Sequence, residues 1–351
     1  MGAVRYRSWS AVVAGALLVS GCGGGGDSGG TVVAASPAPT PTPSPSPAAA
    51  ATPGDLEAER SNAATVSKAD AAYRVGATGR GIRIAVLDTG IVPTLGEFAG
   101  RIDPASANLG SDRGLVDASG HGTAIAAIAA AARDGHGIHG LAYDASIVSL
   151  NVTRPDKCKD LDCPAQSDLV VAGIDAAIAA RVRVINMSFN VDQTTDSLVA
   201  AVRRAAAAGI VMVISAGNES ADQPLLLSRS FAEAGAGHVI IVGGIDAAGR
   251  PYRYGNRAGT GVAASYLMAL GFDVNMIDRS GAVIVQSGTS ASAAVVSGAV
   301  ALIAQARPNL TGAQIVALLL NNATDLGDPG RDATYGNGAL NVAAVLAASA
   351  G

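Results

Sequence analysis

Three short segments place Asp, His and Ser where their side chains can do joint chemistry. Asp88 closes the apolar run 84–87 and is followed by Thr89 and Gly90; His121 stands in Gly120-His121-Gly122-Thr123; Ser290 ends Ser287-Gly288-Thr289-Ser290. A hydroxyl becomes a nucleophile when an imidazole takes its proton, and a carboxylate behind the imidazole holds its tautomer and stabilises the imidazolium. Such a trio hydrolyses acyl compounds through a covalent acyl-enzyme, so neither metal nor organic cofactor is expected. Asn218, in Ser215-Ala216-Gly217-Asn218, adds a carboxamide donor for a developing oxyanion. Singly, each residue has a plainer role: a strand-end cap for Asp88, a helix N-terminal residue for His121, an N-cap for Ser290.

The elements that must position these residues alternate. Apolar runs at 84–87, 146–152, 182–187, 210–215 and 239–242 predict strands, and helical patterns cover 124–132, 169–180, 198–208, 292–306 and 311–321, the last opened by Thr311 as N-cap. Strands apolar on both faces, alternating with helices, predict an α/β fold with a mostly parallel central sheet covered by helices on both faces. In such sheets ligands collect at the carboxyl ends of strands, where Asp88 and Asn218 fall. Ser290 precedes a helix, whose positive end and backbone N–H favour an oxyanion.

These segments carry a resemblance. Ile84-Ala85-Val86-Leu87-Asp88-Thr89-Gly90, His121-Gly122-Thr123, Asn186-Met187-Ser188, Ala216-Gly217-Asn218 and Gly288-Thr289-Ser290 resemble, in order and spacing, the motifs of the subtilisin-like serine peptidases. The likeness runs from about Ala64 to Tyr335-Gly336-Asn337-Gly338-Ala339-Leu340-Asn341-Val342. It implies a subtilisin-like three-layer sandwich and a serine endopeptidase with Ser290 as nucleophile, His121 as general base, Asp88 as its orienting carboxylate and Asn218 in the oxyanion hole. It implies polypeptide substrates lying extended along Ser188, Phe189 and Asn190, joined by main-chain hydrogen bonds. The chain departs from the family pattern at Ala294, where Pro is usual, at Leu270 within Ala269-Leu270-Gly271, at Asn190, where Gly is usual, and at Ala124, where His is common. None is a triad or oxyanion position; Asn190 bears on substrate preference. The departures leave a second reading, a non-catalytic binding protein on the same fold. Sedolisins share a Ser287-Gly288-Thr289-Ser290-Ala291-Ser292-like nucleophile region, but His121 and Asn218 favour the subtilisin type.

Length and composition bound the rest. Of 351 residues 49% are hydrophobic and 15% charged, and the net charge is −4, which leaves no cationic footprint for nucleic acid. With one Trp, seven Tyr and four Phe there is little to stack bases on. Arg5 and Arg7 precede the apolar run 11–19 and then Ser20-Gly21-Cys22, a secretory signal pattern too short to span a bilayer of about 20 residues. Val19-Ser20-Gly21-Cys22 resembles a lipobox, which implies a signal over 1–21 and a lipidated Cys22. Seven of the 15 prolines fall between Pro37 and Pro53, so 22–54 reads as a Gly/Pro-rich disordered tether. Residues 55–351 then form one domain of about 290 residues, near the upper limit for one core. The expected product is a monomer in the bacterial cell envelope, anchored through lipid with the outer membrane favoured, or else periplasmic or secreted.

The remaining polar residues have bland readings. Cys158 and Cys163 bracket a polar loop, and a local disulfide is the favoured state outside the cytoplasm. Asp156, Asp160 and Asp162 in that loop read as solvated rather than as calcium ligands. His136 and His139 read as turn residues and His238 as structural, with no metal site expected.

Overall fold

The computed structural model describes residues 53–159, 163–191 and 193–348. Cys22, the signal and nearly all of the tether, as well as Asp160 and Asp162, lie outside the described residues. Helices α1 (Pro53–Arg60), α2 (Asn62–Val66) and α3 (Asp70–Arg74) lead into β1 (Arg83–Asp88), β2 (Ala107–Asn108), α4 (His121–Ala130) and β3 (Ser146–Asn151). There follow α5 (Ser167–Ala179), β4 (Val184–Met187), α6 (Asp196–Ala207), β5 (Val211–Ser215), α7 (Leu226–Ala234), β6 (Val239–Ile245) and β7 (Tyr266–Leu270). A ribbon of β8 (Val274–Ile277) and β9 (Val283–Gln286) precedes α8 (Thr289–Ala306), α9 (Gly312–Asn321) and α10 (Val342–Ala347). The first helix begins at Pro53, so the tether expected to run to Gly54 gives way slightly earlier; Pro suits a first turn, where its missing N–H costs nothing.

Seven strands form one sheet in the order β2-β3-β1-β4-β5-β6-β7, and every pairing in it is parallel. Alternate residues face opposite layers, as the twofold repeat of a strand requires. Ile84, Val86, Val184, Val211, Val213 and Ile240 join α4, α8 and α9 in one core, while Ala85, Leu87, Ile185, Met187, Met212 and Ile214 join α5, α6 and α7 in the other. The result is a three-layer α/β sandwich, with both sheet faces buried. Full burial of one such Val, Leu or Ile contributes about 1.5–3 kcal/mol, so the two cores dominate the stabilising side.

Two helices matter most for the site, and both begin three residues earlier than their apolar patterns suggest: α4 at His121, α8 at Thr289. Both are rich in Ala, the best helix former, and both are nearly all buried. They touch at Gly298, where a Cβ would stand 2.7 Å from Leu141 Cβ and 3.0 Å from the Ala129 carbonyl oxygen. Gly298 lies as far beyond Ser290 as Ala129 lies beyond His121, so the two helices start at the same rim of the sheet.

Candidate active site

Asp88 is the last residue of β1, beside β3 and β4 in the middle of the sheet. Its side chain is buried, and its Oδ1 lies 2.7 Å from His121 Nδ1. The approach depends on Gly122: a Cβ there would sit 2.2 Å from the Gly90 carbonyl oxygen and 3.2 Å from Asp88 Cβ. The first turn of α4 can therefore press against the end of β1 only without that side chain. A carboxylate accepts but does not donate, so Nδ1 carries the proton and Nε2 is the free base. The Thr89 N–H also donates to Asp88 Oδ1, at 2.8 Å, while Oδ2 is buried without a partner among the described residues.

Burial pushes the imidazolium of His121 toward neutrality, yet the Asp88 charge, the Asp88 hydrogen bond and the Asp117 charge together outweigh it and raise its pKa above the ordinary 6.5. To act as a general base His121 would have to be neutral, so kcat/KM is expected to rise with pH along a limb centred above about 6.5. A limb below that value contradicts this electrostatic balance. The same shift has a stability consequence of definite sign. The charged pair stabilises the fold fully below the unfolded pKa, and that contribution is lost as pH rises through the folded one.

Ser290 is the second residue of α8, one turn from any intrahelical partner for its N–H. Its Oγ donates to the Ser188 carbonyl at 3.2 Å, and Ser188 Oγ donates in return to the Ser290 carbonyl at 3.0 Å. Among the described residues no hydrogen bond joins Ser290 Oγ to His121. Behind this pair runs a buried polar chain: Ser297 Oγ donates to Asn186 Oδ1 at 3.0 Å, and Asn186 Nδ2 to Ser188 Oγ at 2.9 Å. It locks the start of α8 onto the end of β4.

Asn218 is exposed at the end of β5, and its orientation is held by Thr289. The Thr289 N–H donates to Asn218 Oδ1 at 2.9 Å and Thr289 Oγ1 stands 3.1 Å from the same oxygen, which leaves Asn218 Nδ2 as the outward donor. A Cβ on Gly288 would lie 3.8 Å from Asn218 Nδ2 and 3.9 Å from the Ser290 nitrogen, so both donors border one small space.

The other sequence candidates divide. Ser188 is buried, Phe189 half-buried and Asn190 exposed, and Asn190 Oδ1 turns back to accept the Val191 N–H at 3.0 Å. Cys158 and Cys163 are joined by a disulfide, and the chain returning from it pairs Ala165 with both Thr153 and Val191. His136 is exposed beside Asp134, whereas His139 is buried among Tyr73 and Tyr143, and burial lowers its pKa. His238 sits in the turn before β6. Among the described residues no group of three or more His, Cys, Asp or Glu could hold a metal ion. Ala294 and Leu270 lie in the core.

Sequence reasoning missed the supports: Thr289, Asn186, Ser297 and Asp117. Asn186 left one signal, a polar residue inside an otherwise apolar strand. Comparison with known families bears on the whole arrangement, since the subtilase family model matches residues 79–338 and so spans Asp88, His121, Asn218 and Ser290. The chain belongs to the subtilase family of serine endopeptidases. This subtilase is 32% identical over 282 residues to subtilisin E of Bacillus subtilis, covering 79% of this chain and 68% of that one. It is 31% identical over 275 residues to a thermostable alkaline protease of Halalkalibacterium halodurans, covering 77% and 69%. It is also 29% identical over 284 residues to the minor extracellular protease Epr of Bacillus subtilis, which accounts for 80% of this chain but only 40% of Epr.

Proposed function

We propose that this subtilase hydrolyses peptide bonds of extended polypeptides through an acyl-enzyme on Ser290. The observation that carries the proposal is the 2.7 Å Asp88–His121 contact on the same rim as Asn218 and the start of α8. Ser290 Oγ turns from the Ser188 carbonyl, gives its proton to His121 Nε2 and attacks the scissile carbonyl carbon. The negative charge that moves onto the carbonyl oxygen is met by Asn218 Nδ2 and the Ser290 N–H. His121 then passes its proton to the leaving amine, the C–N bond breaks, and water repeats the sequence to free Ser290. Asp88 keeps the imidazole oriented throughout.

The substrate edge is Ser188, Phe189 and Asn190, flanked by the disulfide-closed loop that returns at Ala165. Asn190 brings a side chain to this edge where the family pattern has Gly, which narrows the room for a substrate side chain. The N-terminal pattern supports a lipid anchor on Cys22 and a tether that holds the domain off the bacterial envelope. One relative named extracellular, the protease Epr, fits an exported enzyme.

Casein incubated with the purified chain is expected to yield peptides with new N-termini, and mass spectrometry of the mature N-terminus is expected to find acylated Cys22. A folded protein that leaves casein intact refutes the peptidase reading, and an unmodified Cys22 refutes the anchor. The Ser290 Oγ–Ser188 bond is the one observation that suits the alternative, a binding protein on this fold. That alternative requires Ser290→Ala to leave the cellular phenotype unchanged.

A further inference from the structure

Asp117 lies outside the motifs and has no role in the steps above, yet it is the most heavily bonded carboxylate at the site. It is 5% exposed. Its Oδ1 accepts from Thr89 Oγ1 and from the Gly120 N–H, each at 2.7 Å. Its Oδ2 accepts from the Thr123 N–H at 2.7 Å and from Thr123 Oγ1 at 2.6 Å. Thr89 follows Asp88, and its Oγ1 also accepts the Gly122 N–H at 2.9 Å. One side chain thus ties the residue after Asp88 to the residues on both sides of His121.

All four donors to Asp117 are neutral, so the hydrogen bonds hold the carboxylate without cancelling its charge. The charged groups facing His121 can be named. Asp88 comes from the end of β1 and Asp117 from the loop before α4. From the tip of the β8–β9 ribbon comes Arg279, whose side chain covers Gly120 and whose Nη1 donates to the Ala118 carbonyl at 2.8 Å. Among the described residues, 188–191 and 287–306 carry no charged side chain.

We propose that Asp117 is a positioning residue that acts through His121, fixing the imidazole against Asp88 and supplying a second, more remote negative charge for the imidazolium formed during attack. The proposal rests on the reading of His121 as general base. The Asp117 charge is among those that raise the pKa of His121, in keeping with this role. A residue that merely stapled the loop would leave that titration unmoved.

The test is the NMR titration of the His121 imidazole in the full chain, beside the pH profile of kcat/KM. Asp117→Asn removes the charge at nearly constant shape, and both the titration and the acidic limb are expected to move to lower pH. Thr89→Val keeps the Asp117 charge but loosens the link, so the titration should move less than in Asp117→Asn. There kcat should fall about 10–100-fold with KM held, the scale of a 1 Å misplacement. An unshifted His121 in folded Asp117→Asn overturns the proposal. If that variant does not fold, a wild-type kcat in Thr89→Val overturns it instead. The titration is read without turnover, so an inactive wild-type chain would count against the peptidase reading alone.

Discussion

Replacing Ser290 by Ala is expected to lower kcat by about six orders of magnitude, the loss subtilisin itself shows when its nucleophile is removed. The magnitude follows from the division of labour at the rim. Without Oγ no acyl-enzyme forms, His121 has no proton to take, and only the two oxyanion donors, Asn218 Nδ2 and the backbone N–H of residue 290, and binding remain, worth about 10³–10⁴ over water. The fold should be nearly untouched. Ser290 Oγ makes one hydrogen bond, to the Ser188 carbonyl, and losing one such bond costs about 1 kcal/mol. Steady-state hydrolysis of a peptide substrate, beside thermal unfolding of the same preparation, separates the two effects. Activity within tenfold of wild type would place the chemistry elsewhere.

The second large effect is expected at Asn218. Removing one oxyanion donor costs about 10²–10³ in kcat, or roughly 2.7–4 kcal/mol, the range set by subtilisin's own oxyanion asparagine. KM should change little, because the charge that Nδ2 meets exists only in the transition state. Asn218→Ala also frees the Thr289 N–H, which now donates to Asn218 Oδ1 at 2.9 Å, so some of its loss reflects a loosened start of α8. Asn218→Asp distinguishes the two causes. It keeps an acceptor for Thr289 but turns a negative charge toward the oxyanion, and kcat should fall at least as far. If Asn218→Asp instead restored wild-type kcat, the anchor to Thr289 and not the donor would be what matters.

Much of this was legible in the residues, for physical reasons. A parallel sheet buried on both faces shows itself as unbroken apolar runs, so β1, β3, β4, β5 and β6 could be read, with Asp88 and Asn218 at or just past their ends. Helix α9 was equally plain, since Thr311 and Gln314 form a reciprocal capping box before an apolar pattern. The starts of α4 and α8 were not, because His121, Gly122, Thr289 and Ser290 carry no apolar periodicity. In α4 the Thr123 N–H goes to Asp117, six residues upstream, and in α8 the Thr289 N–H goes to the distant Asn218. Helix α7, strand β7 and the β8–β9 ribbon also escaped. They are short, and in β9 the outward Val283 and Val285 blur the alternation that marks a strand. Asp117 shows why a site can be half-legible: its donors at 120 and 123 are local, but Thr89, the one that links it to Asp88, is brought in only by folding.

A covalent probe reports whether Ser290 is the activated nucleophile. The folded chain, incubated with a fluorophosphonate and digested for mass spectrometry, is expected to carry one adduct, on the peptide containing Ser290. The adduct should be lost in His121→Ala and slowed below the His121 pKa. An unlabelled folded chain, or an adduct on another serine with Ser290 free, would contradict the account.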